Sequence, residues 1–114
     1  MKHVLFTSPR DAEAAFYEAF EKCDLDAMMA VWADDEDIVC VHPGGMRLTG
    51  VEAIRESWRQ IFAGGRGLSI RLRQLRAIDG MTVAVHSVYE QLALAGDPQA
   101  RAPVVATNVY LRTE

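Results

Sequence analysis

The sequence LSIRLRQLRAIDG, residues 68–80, decides the fold class, because the spacing of apolar residues changes there from helical to alternating. Ile70 and Leu72 alternate with arginines, which predicts a β-strand with two unlike faces. The alternation slips at Gln74, as it does at a β-bulge. The Asp-Gly pair that ends the stretch is typical of a hairpin turn. We therefore predict a long, bulged strand that turns back on itself.

Two more strands are predicted after that turn. Residues 81–95, MTVAVHSVYEQLALA, form the returning strand, again with a slip in the alternation near Ser87. Residues 104–114, VVATNVYLRTE, form the last strand. Bulged strands bend. The C-terminal part of the chain thus predicts a bent antiparallel sheet.

Three helices are predicted before these strands. Ser8 has the chemistry of an N-cap for the first helix, and Asp24 for the second. Thr49 and Glu52 have the spacing of a capping box for the third, which stops at Gly64. Helices in a block before strands indicate an α+β fold, with the three helices on one face of the sheet. A bent sheet closed by helices makes a cone, whose interior is a usual place for a small-molecule pocket.

A short hairpin is predicted between the second and third helices, where residues 40–45 are CVHPGG. His42 either caps this hairpin or reaches a pocket as a general base, since its pKa lies near neutrality. Cys40 is expected to be a core residue. A metal site made by Cys40, His42 and His86 is not expected, because no known ligand spacing is present.

Length and composition limit the class of protein. The 114 residues fit one domain, 1–114, and the net charge of -4 argues against nucleic acid as a partner. Arg71 and Arg73 are expected on a solvated or dimer-facing surface, paired with acids. No apolar run is long enough for a membrane span. The two cysteines, Cys23 and Cys40, are too few for a disulfide framework, which predicts a cytoplasmic protein.

Residues 20–62 resemble the NTF2-like superfamily, particularly its SnoaL-like branch. The resemblance is carried by a helix ending in WADD, a strand, and then G-x-E-A-I-x-x-x-W at residues 50–58. The segment TNVYLR, residues 107–112, is similar to the family's penultimate strand. The resemblance implies an NTF2-like cone and a homodimer through the outer face of the sheet. The family's sheet continues with one more strand, which this chain, ending at Glu114, is expected to lack.

Ketosteroid isomerases belong to this superfamily, and the resemblance assigns their roles to residues of this sequence. The oxyanion tyrosine falls on Phe16, which has no donor, so steroid isomerisation by that mechanism is not expected. The base falls on Cys40 or, if the residue before proline is matched, on His42. The acid donor falls on Asn108. The predicted catalytic pair is therefore His42 as base and Asn108 as an amide donor for an oxyanion.

The predicted pocket walls are side chains that the helices and the hairpin bring to the interior, namely Phe16, Phe20, Trp32, Cys40 and Trp58. Two supporting tyrosines of the isomerases fall on the two tryptophans. The predicted function is a small-molecule pocket protein of the SnoaL-like type. It would be a lyase, isomerase or hydrolase without cofactor or metal, acting on a small apolar or polyketide-like substrate. The alternative is a non-catalytic ligand-binding or protein-association module, and the sequence leaves open whether the protein is an enzyme.

Overall fold

The structure is a computed structural model that describes residues 6–64, 68–94 and 103–113. In chain order its elements are α1 (Pro9–Lys22), α2 (Leu25–Val31), β1 (Val39–Cys40), β2 (Leu48–Thr49), α3 (Val51–Ala63), β3 (Leu68–Asp79), β4 (Val83–Leu94) and β5 (Val104–Leu111). This order confirms the predicted α+β fold, with helices before an antiparallel sheet. No helix in the described ranges is long and apolar enough to cross a membrane.

The first two helices begin at the residues that the sequence predicts. The Ser8 hydroxyl accepts a hydrogen bond from the Asp11 N–H at 3.1 Å, and the Asp24 carboxylate accepts one from the Ala27 N–H at 3.0 Å. Each bond satisfies a backbone donor that the first helical turn leaves free. These two caps fix where α1 starts and where the chain turns into α2.

The predicted capping box at the start of α3 is wrong. Thr49 belongs to β2, where it pairs with Val39. Gly50 is the N-cap instead, with a φ of 92°, and no side chain caps the helix. That φ favours glycine, and the Gly50 N–H donates to the Ile38 carbonyl at 2.9 Å. The hairpin therefore leads directly into α3.

The strands β3, β4 and β5 form an antiparallel sheet in that order. The predicted bulge in β3 is confirmed, because the register shifts between Gln74 and Arg76. The predicted slip in β4 is wrong, since its pairing with β5 runs unbroken from Val83 to Glu90. His86 lies on the buried face of β4, between the apolar residues Ala84 and Val88 along the strand. A polar residue at such a position imitates a slip in the sequence pattern.

The core lies between the helices and the small hairpin. Its buried residues are Ala19, Met28, Cys40, Ile54 and Trp58. The helix α1 packs on the inner face of the sheet, with contacts to β3 and β5. The outer face is more open, and its β5 residues Val105, Val109 and Leu111 are 60%, 59% and 61% exposed. The sheet thus has one face against α1 and one face towards solvent, on which β5 places these apolar side chains.

Candidate functional site

The helix α1 presents two different faces to the rest of the protein. Phe16 and Phe20 pack into the helical core, where both contact Trp58. Glu13, Tyr17 and Glu21, spaced four residues apart, lie on a neighbouring face and reach the sheet. We call this second set the polar face of α1. It brings two side-chain hydrogen-bond networks into contact with the strands.

The first network joins α1 to β4 and β5. The Tyr17 hydroxyl donates to Glu90 Oε2 at 2.5 Å, and Asn108 Nδ2 donates to the Tyr17 oxygen at 2.8 Å. Tyr17 is 5% exposed, and its two partners are half-buried. A phenol, a carboxyl and an amide are therefore in contact at a partly desolvated position, where hydrogen bonds are stronger than in water.

Burial changes the acidity of both ionisable groups in this first network. Desolvation raises the pKa of Glu90, and the hydrogen bond from Tyr17 counteracts part of that increase. Desolvation and the hydrogen bond to Glu90 raise the pKa of Tyr17, so the phenol keeps its proton. Glu90 therefore exchanges a proton closer to neutral pH than an ordinary glutamate does. That property is typical of carboxyls that act as general acids or bases.

The second network surrounds His86, which is fully buried on β4. Its Nδ1 lies 2.9 Å from Glu13 Oε2, and its Nε2 lies 2.7 Å from Asp79 Oδ1. Gln74 Nε2 donates to both Glu13 oxygens, at 2.9 and 3.1 Å. The ring of Tyr110 lies beside the imidazole, with 5.1 Å between the ring centroids. This network ties α1 to β3, β4 and β5.

The geometry around His86 fits the charged imidazole. Both ring nitrogens face carboxylate oxygens, which accept hydrogen bonds and, when ionised, have no proton to donate. Burial by itself would lower the pKa of His86, but the hydrogen bonds to Asp79 and Glu13 raise it above 6.5. The cation, with a proton on each nitrogen, satisfies both carboxylates at once.

The interior of the helical side is filled by five side chains that we call the aromatic cluster, namely Phe16, Phe20, Trp32, Trp58 and Phe62. Neighbouring ring centroids in it lie between 5.0 and 6.4 Å apart. The indole N–H groups of Trp32 and Trp58 are buried and have no hydrogen-bond partner within the described residues. Buried indole N–H groups usually have one.

His42 lies at the edge of the aromatic cluster, on the loop after β1. Its Nε2 lies 3.1 Å from Ser57 Oγ and 3.6 Å from Cys40 Sγ, and its ring meets Trp58 edge-on at 4.9 Å. Ser57 donates its own proton to the Ile54 carbonyl at 2.7 Å, so it accepts from His42. Burial lowers the pKa of His42 and raises that of Cys40 to about 11. At neutral pH the imidazole is uncharged and Cys40 is a thiol.

The structure places the predicted catalytic pair in separate networks. His42 is hydrogen-bonded to Ser57 and Cys40, whereas Asn108 is hydrogen-bonded to Tyr17, and no hydrogen bond joins the pair within the described ranges. Their joint role in catalysis stays a prediction. The predicted wall residues do lie together, in the helical core or packed against it: Phe16, Phe20, Trp32, Cys40 and Trp58.

Sequence reasoning missed Tyr17 and Glu90. The resemblance put the oxyanion tyrosine at Phe16, whereas the phenol that meets Asn108 belongs to the next residue. Successive helical residues point about 100° apart, so this single step moves a side chain from the aromatic cluster to the sheet. The four-residue spacing of polar residues along α1 is the signal that could have found Tyr17. Glu90 was missed because a slip was expected in β4, which left its facing undecided.

Two surface depressions in the described ranges lie away from this site. One, of about 480 Å³, is lined by acidic residues 34–36 and by the start of α3. The other, of about 340 Å³, lies beside Arg71, Arg73 and Tyr89. Arg73 lies over the Tyr89 ring at 5.9 Å, and neither arginine forms the expected ion pair with a described acid. Among all the residues that the structure describes, no group of three or more His, Cys, Asp or Glu side chains is placed to bind a metal ion.

Solved structures of two bacterial proteins are similar to this chain in sequence and fold. A protein from Thiobacillus denitrificans, provisionally named a calcium/calmodulin-dependent protein kinase type II association domain, is 35% identical. The similarity covers 97% of this chain and 88% of that one, with a TM-score of 0.92. A protein from Streptomyces avermitilis, provisionally named a dehydratase of the NTF2-like family, is 30% identical over 90% of this chain and 80% of its own, with a TM-score of 0.79.

More distant structures show the fold alone. A ketosteroid isomerase-like protein from Erwinia carotovora is 18% identical over 90% of this chain and 78% of its own, with a TM-score of 0.65. No curated protein matches the chain. The SnoaL-like domain family, in contrast, matches residues 10–114, nearly the whole length. The chain therefore belongs to the SnoaL-like domain family, within the NTF2-like superfamily.

Proposed function

We propose that this protein binds a small apolar molecule and transfers a proton on it, as a lyase, isomerase or hydrolase that needs no cofactor. The contact between Tyr17, Glu90 and Asn108 is the observation that carries the proposal. It unites a carboxyl whose pKa burial raises, a phenol that donates to this carboxyl, and an amide that donates to the phenol. These are the groups that proton transfer requires at a partly desolvated position.

Glu90 is the proposed acid–base group. As a carboxylate it takes a proton from a carbon next to a carbonyl, and the electron pair of that C–H bond moves towards the carbonyl oxygen. Once Glu90 is protonated, the Tyr17 hydroxyl is free to donate to the negative oxygen, together with the Asn108 amide. Return of the proton to another carbon gives an isomerase. Transfer of the proton to a β-hydroxyl, which then leaves as water, gives a lyase.

The aromatic cluster supports an apolar substrate that carries acceptor oxygens. Phe16 belongs to this cluster and also packs against Tyr17, with 4.8 Å between the ring centroids. The cluster and the first network are therefore neighbours. The unpartnered indole N–H groups of Trp32 and Trp58 would bind acceptor oxygens on an otherwise apolar ligand. A small cyclic ketone or a polyketide fragment has this combination of groups.

The test begins with protein purified without added ligand. Native mass spectrometry followed by denaturation identifies a co-purified small molecule. Compounds of that class, together with small β-hydroxy ketones and cyclic enones, are then tested as substrates. We expect Glu90→Gln to lower kcat by about 100-fold or more, since general acid–base catalysis contributes roughly that much. Glu18→Gln, at an exposed position of α1, is the matched control.

The same assay separates the two candidate bases. Unchanged kcat in Glu90→Gln would contradict the proposal. Loss of kcat only in His42→Gln would move the base to the hairpin, where the imidazole is uncharged at neutral pH and packs against Trp58. Loss in both variants would place the two groups in one reaction, as the acid and the base.

A second candidate function is protein association, as a homodimer through the outer face of the sheet. The exposed side chains of Val105, Val109 and Leu111 support it, because contiguous apolar patches of this kind often mark interfaces. The 35% identical protein from Thiobacillus denitrificans, provisionally named an association domain, supports it as well. Both functions are compatible, since the first network lies on the opposite face of the sheet.

Val109→Asp tests the association. A charge in the middle of an apolar interface is expected to convert a dimer into monomers, as measured by native mass spectrometry, without changing the circular dichroism spectrum. Met46→Asp, at an apolar residue that is 85% exposed on the hairpin loop, is the control and should leave the dimer intact. A wild-type monomer, or a dimer that survives Val109→Asp, would remove this function.

The proposed location is the cytoplasm, without a nucleic-acid partner. Cys23 and Cys40 are both free thiols, which supports a reducing compartment. The net charge of -4 disfavours binding to phosphate backbones. Cell fractionation and an electrophoretic shift assay with DNA and RNA test these two points.

A further inference from the structure

We propose that His86 is a positioning residue, which as a cation ties Glu13 of α1 to Asp79 of β3. By holding α1 in this way, it fixes the place of Tyr17 in the first network. The consequence for catalysis rests on the proposed function. The positioning itself does not, because its test uses the protein without substrate.

The helix transmits the constraint from the second network to the first. Four residues separate Glu13 from Tyr17, so their side chains lie one above the other on α1. A slide or rotation of α1 would move both. The Tyr17 oxygen makes bonds of 2.5 and 2.8 Å to Glu90 and Asn108, and such bonds weaken steeply when they are stretched or bent. Holding Glu13 therefore holds the phenol within reach of its partners.

The strand β5 provides a second link between the networks. Asn108 lies opposite His86 in the pairing of β4 with β5. Tyr110, on the same strand as Asn108, packs its ring beside His86, with 5.1 Å between the ring centroids. A change at His86 thus reaches Asn108 through the strand pairing, as well as reaching Tyr17 through α1.

The charges around His86 explain why its protonation matters. The groups that face it are Glu13 from α1, Asp79 from β3 and the Tyr110 ring from β5, while Gln74 is bound to Glu13. With His86 charged, each carboxylate accepts an N–H hydrogen bond. With His86 neutral, one ring nitrogen has only a lone pair to offer its carboxylate. Glu13, whose side chain is 10% exposed, then lacks a cation, whereas Asp79, at 43%, keeps contact with solvent.

The positioning is therefore pH-dependent. The pKa of His86 is raised above 6.5 in the folded protein, through its bonds to Asp79 and Glu13 and against the effect of burial. The stabilisation that the cation provides is fully present below 6.5, its unfolded value, and is lost as the pH rises through the folded pKa. Above that pH we expect α1 to lose one anchor and Tyr17 to lose its fixed place.

The test is an NMR titration of the substrate-free protein between about pH 5 and pH 9, a range that spans ordinary and raised histidine pKa values. We expect both imidazole nitrogens of His86 to carry protons at the acidic end. The ring carbons of Tyr17 and the carboxyl carbon of Glu90 should then shift with the same midpoint as His86. His42→Gln, at the other described histidine, should preserve this shared midpoint, whereas His86→Gln should abolish it.

Two results would overturn the proposal. One is a His86 that carries a single proton at the acidic end of the range. The other is a titration of His86 that leaves the Tyr17 and Glu90 signals unmoved. If His86→Gln does not fold, Glu13→Gln provides the same test, because it keeps an acceptor for Nδ1 but removes a charge. It should lower the His86 midpoint, and an unchanged midpoint would again overturn the proposal.

The titration and the activity assay can reject the two proposals independently of each other. Retained turnover in Glu90→Gln together with a shared midpoint would reject the proposed function and keep the positioning role of His86. Lost turnover in Glu90→Gln without a shared midpoint would do the reverse. If both hold, the kcat of the wild type should fall on the alkaline side at the His86 midpoint, and His86→Gln should remove that limb of the profile.

Discussion

The two faces of α1 are held to the rest of the protein by different forces. One face places Phe16 and Phe20 in the aromatic cluster, where rings pack edge-on or tilted. The polar face places Glu13 and Tyr17 in directional hydrogen bonds with the sheet. Apolar burial is non-directional and insensitive to protonation, whereas buried charged groups depend on both geometry and pH. One helix therefore makes an apolar contact that does not depend on protonation on one side, and a hydrogen-bonded contact that does on the other.

The largest expected effect comes from removing a side chain of the aromatic cluster that packs against α1. Trp58→Ala removes a side chain that is 2% exposed and touches two α1 phenylalanines, so it should lower the free energy of unfolding by about 3–5 kcal/mol. The loss should be the same at pH 7 and pH 8, where the neighbouring His42 is uncharged, as measured by urea unfolding. Ile61→Ala, at an exposed position of the same helix, is the control. A loss that changes strongly with pH would show that the two faces are not separate.

The next effect comes from breaking the polar face. Glu13→Ala leaves a buried His86 nitrogen without an acceptor, which should cost about 1–3 kcal/mol of unfolding free energy. Because the folded pKa of His86 is raised, the loss should be largest below 6.5 and should shrink as the pH rises through that folded pKa. Urea unfolding across this pH range measures it, with Glu18→Ala on the exposed side of α1 as control. A pH-independent loss would contradict the charged His86.

A smaller effect is expected at Tyr17, whose ring packs against Phe16 while its hydroxyl bonds Glu90. Tyr17→Phe keeps the ring that packs against Phe16 but removes the hydroxyl that bonds Glu90, so it should cost about 1 kcal/mol. Because that hydrogen bond lowers the pKa of Glu90, its removal should raise that pKa further. A 13C titration of the Glu90 carboxyl carbon measures the shift. A lower Glu90 pKa in the variant would mean that the phenol is not its donor.

The smallest expected effect has the opposite sign. Burial raises the pKa of Glu90 above 4.5, so ionising it between that value and its folded pKa reduces the stability of the wild type. Glu90→Gln should therefore be slightly more stable than the wild type at pH 8, by about 0.5 kcal/mol, and equal to it at pH 4. Thermal unfolding at both pH values checks this. A variant that is less stable at pH 8 would assign Glu90 to structure rather than to proton transfer.

Much of the fold was predictable because it depends on local chemistry. Ser8 and Asp24 cap helices with their own side chains, and the break in alternation at Gln74 corresponds to a true bulge. The start of α3 was not predictable from the Thr49 side chain, because Thr49 pairs with Val39 and so belongs to a strand. Where a tertiary pairing competes with a local cap, the local pattern is a poor guide.

The candidate site was predictable only in part. The apolar walls follow from the spacing of apolar residues in the helices and the hairpin, and Asn108 was singled out because the resemblance placed an acid donor there. The facing of His86 and Glu90 was not, because alternation identifies the inner face of a strand by its apolar residues, and both of these inner residues are polar. A polar residue can be assigned to the inner face of a strand only when its hydrogen-bond partners are known.

The sequence by itself determined the kind and order of the helices and strands, the family and the apolar walls, since each follows from spacing or motif over a few residues. Only the tertiary structure decided that Tyr17, rather than Phe16, meets the sheet, and that Glu13 meets His86. These contacts join residues 73 to 91 positions apart in the chain. They depend on how α1 is rotated and placed on the strands, and that placement is set by the packing of the whole domain rather than by any local pattern.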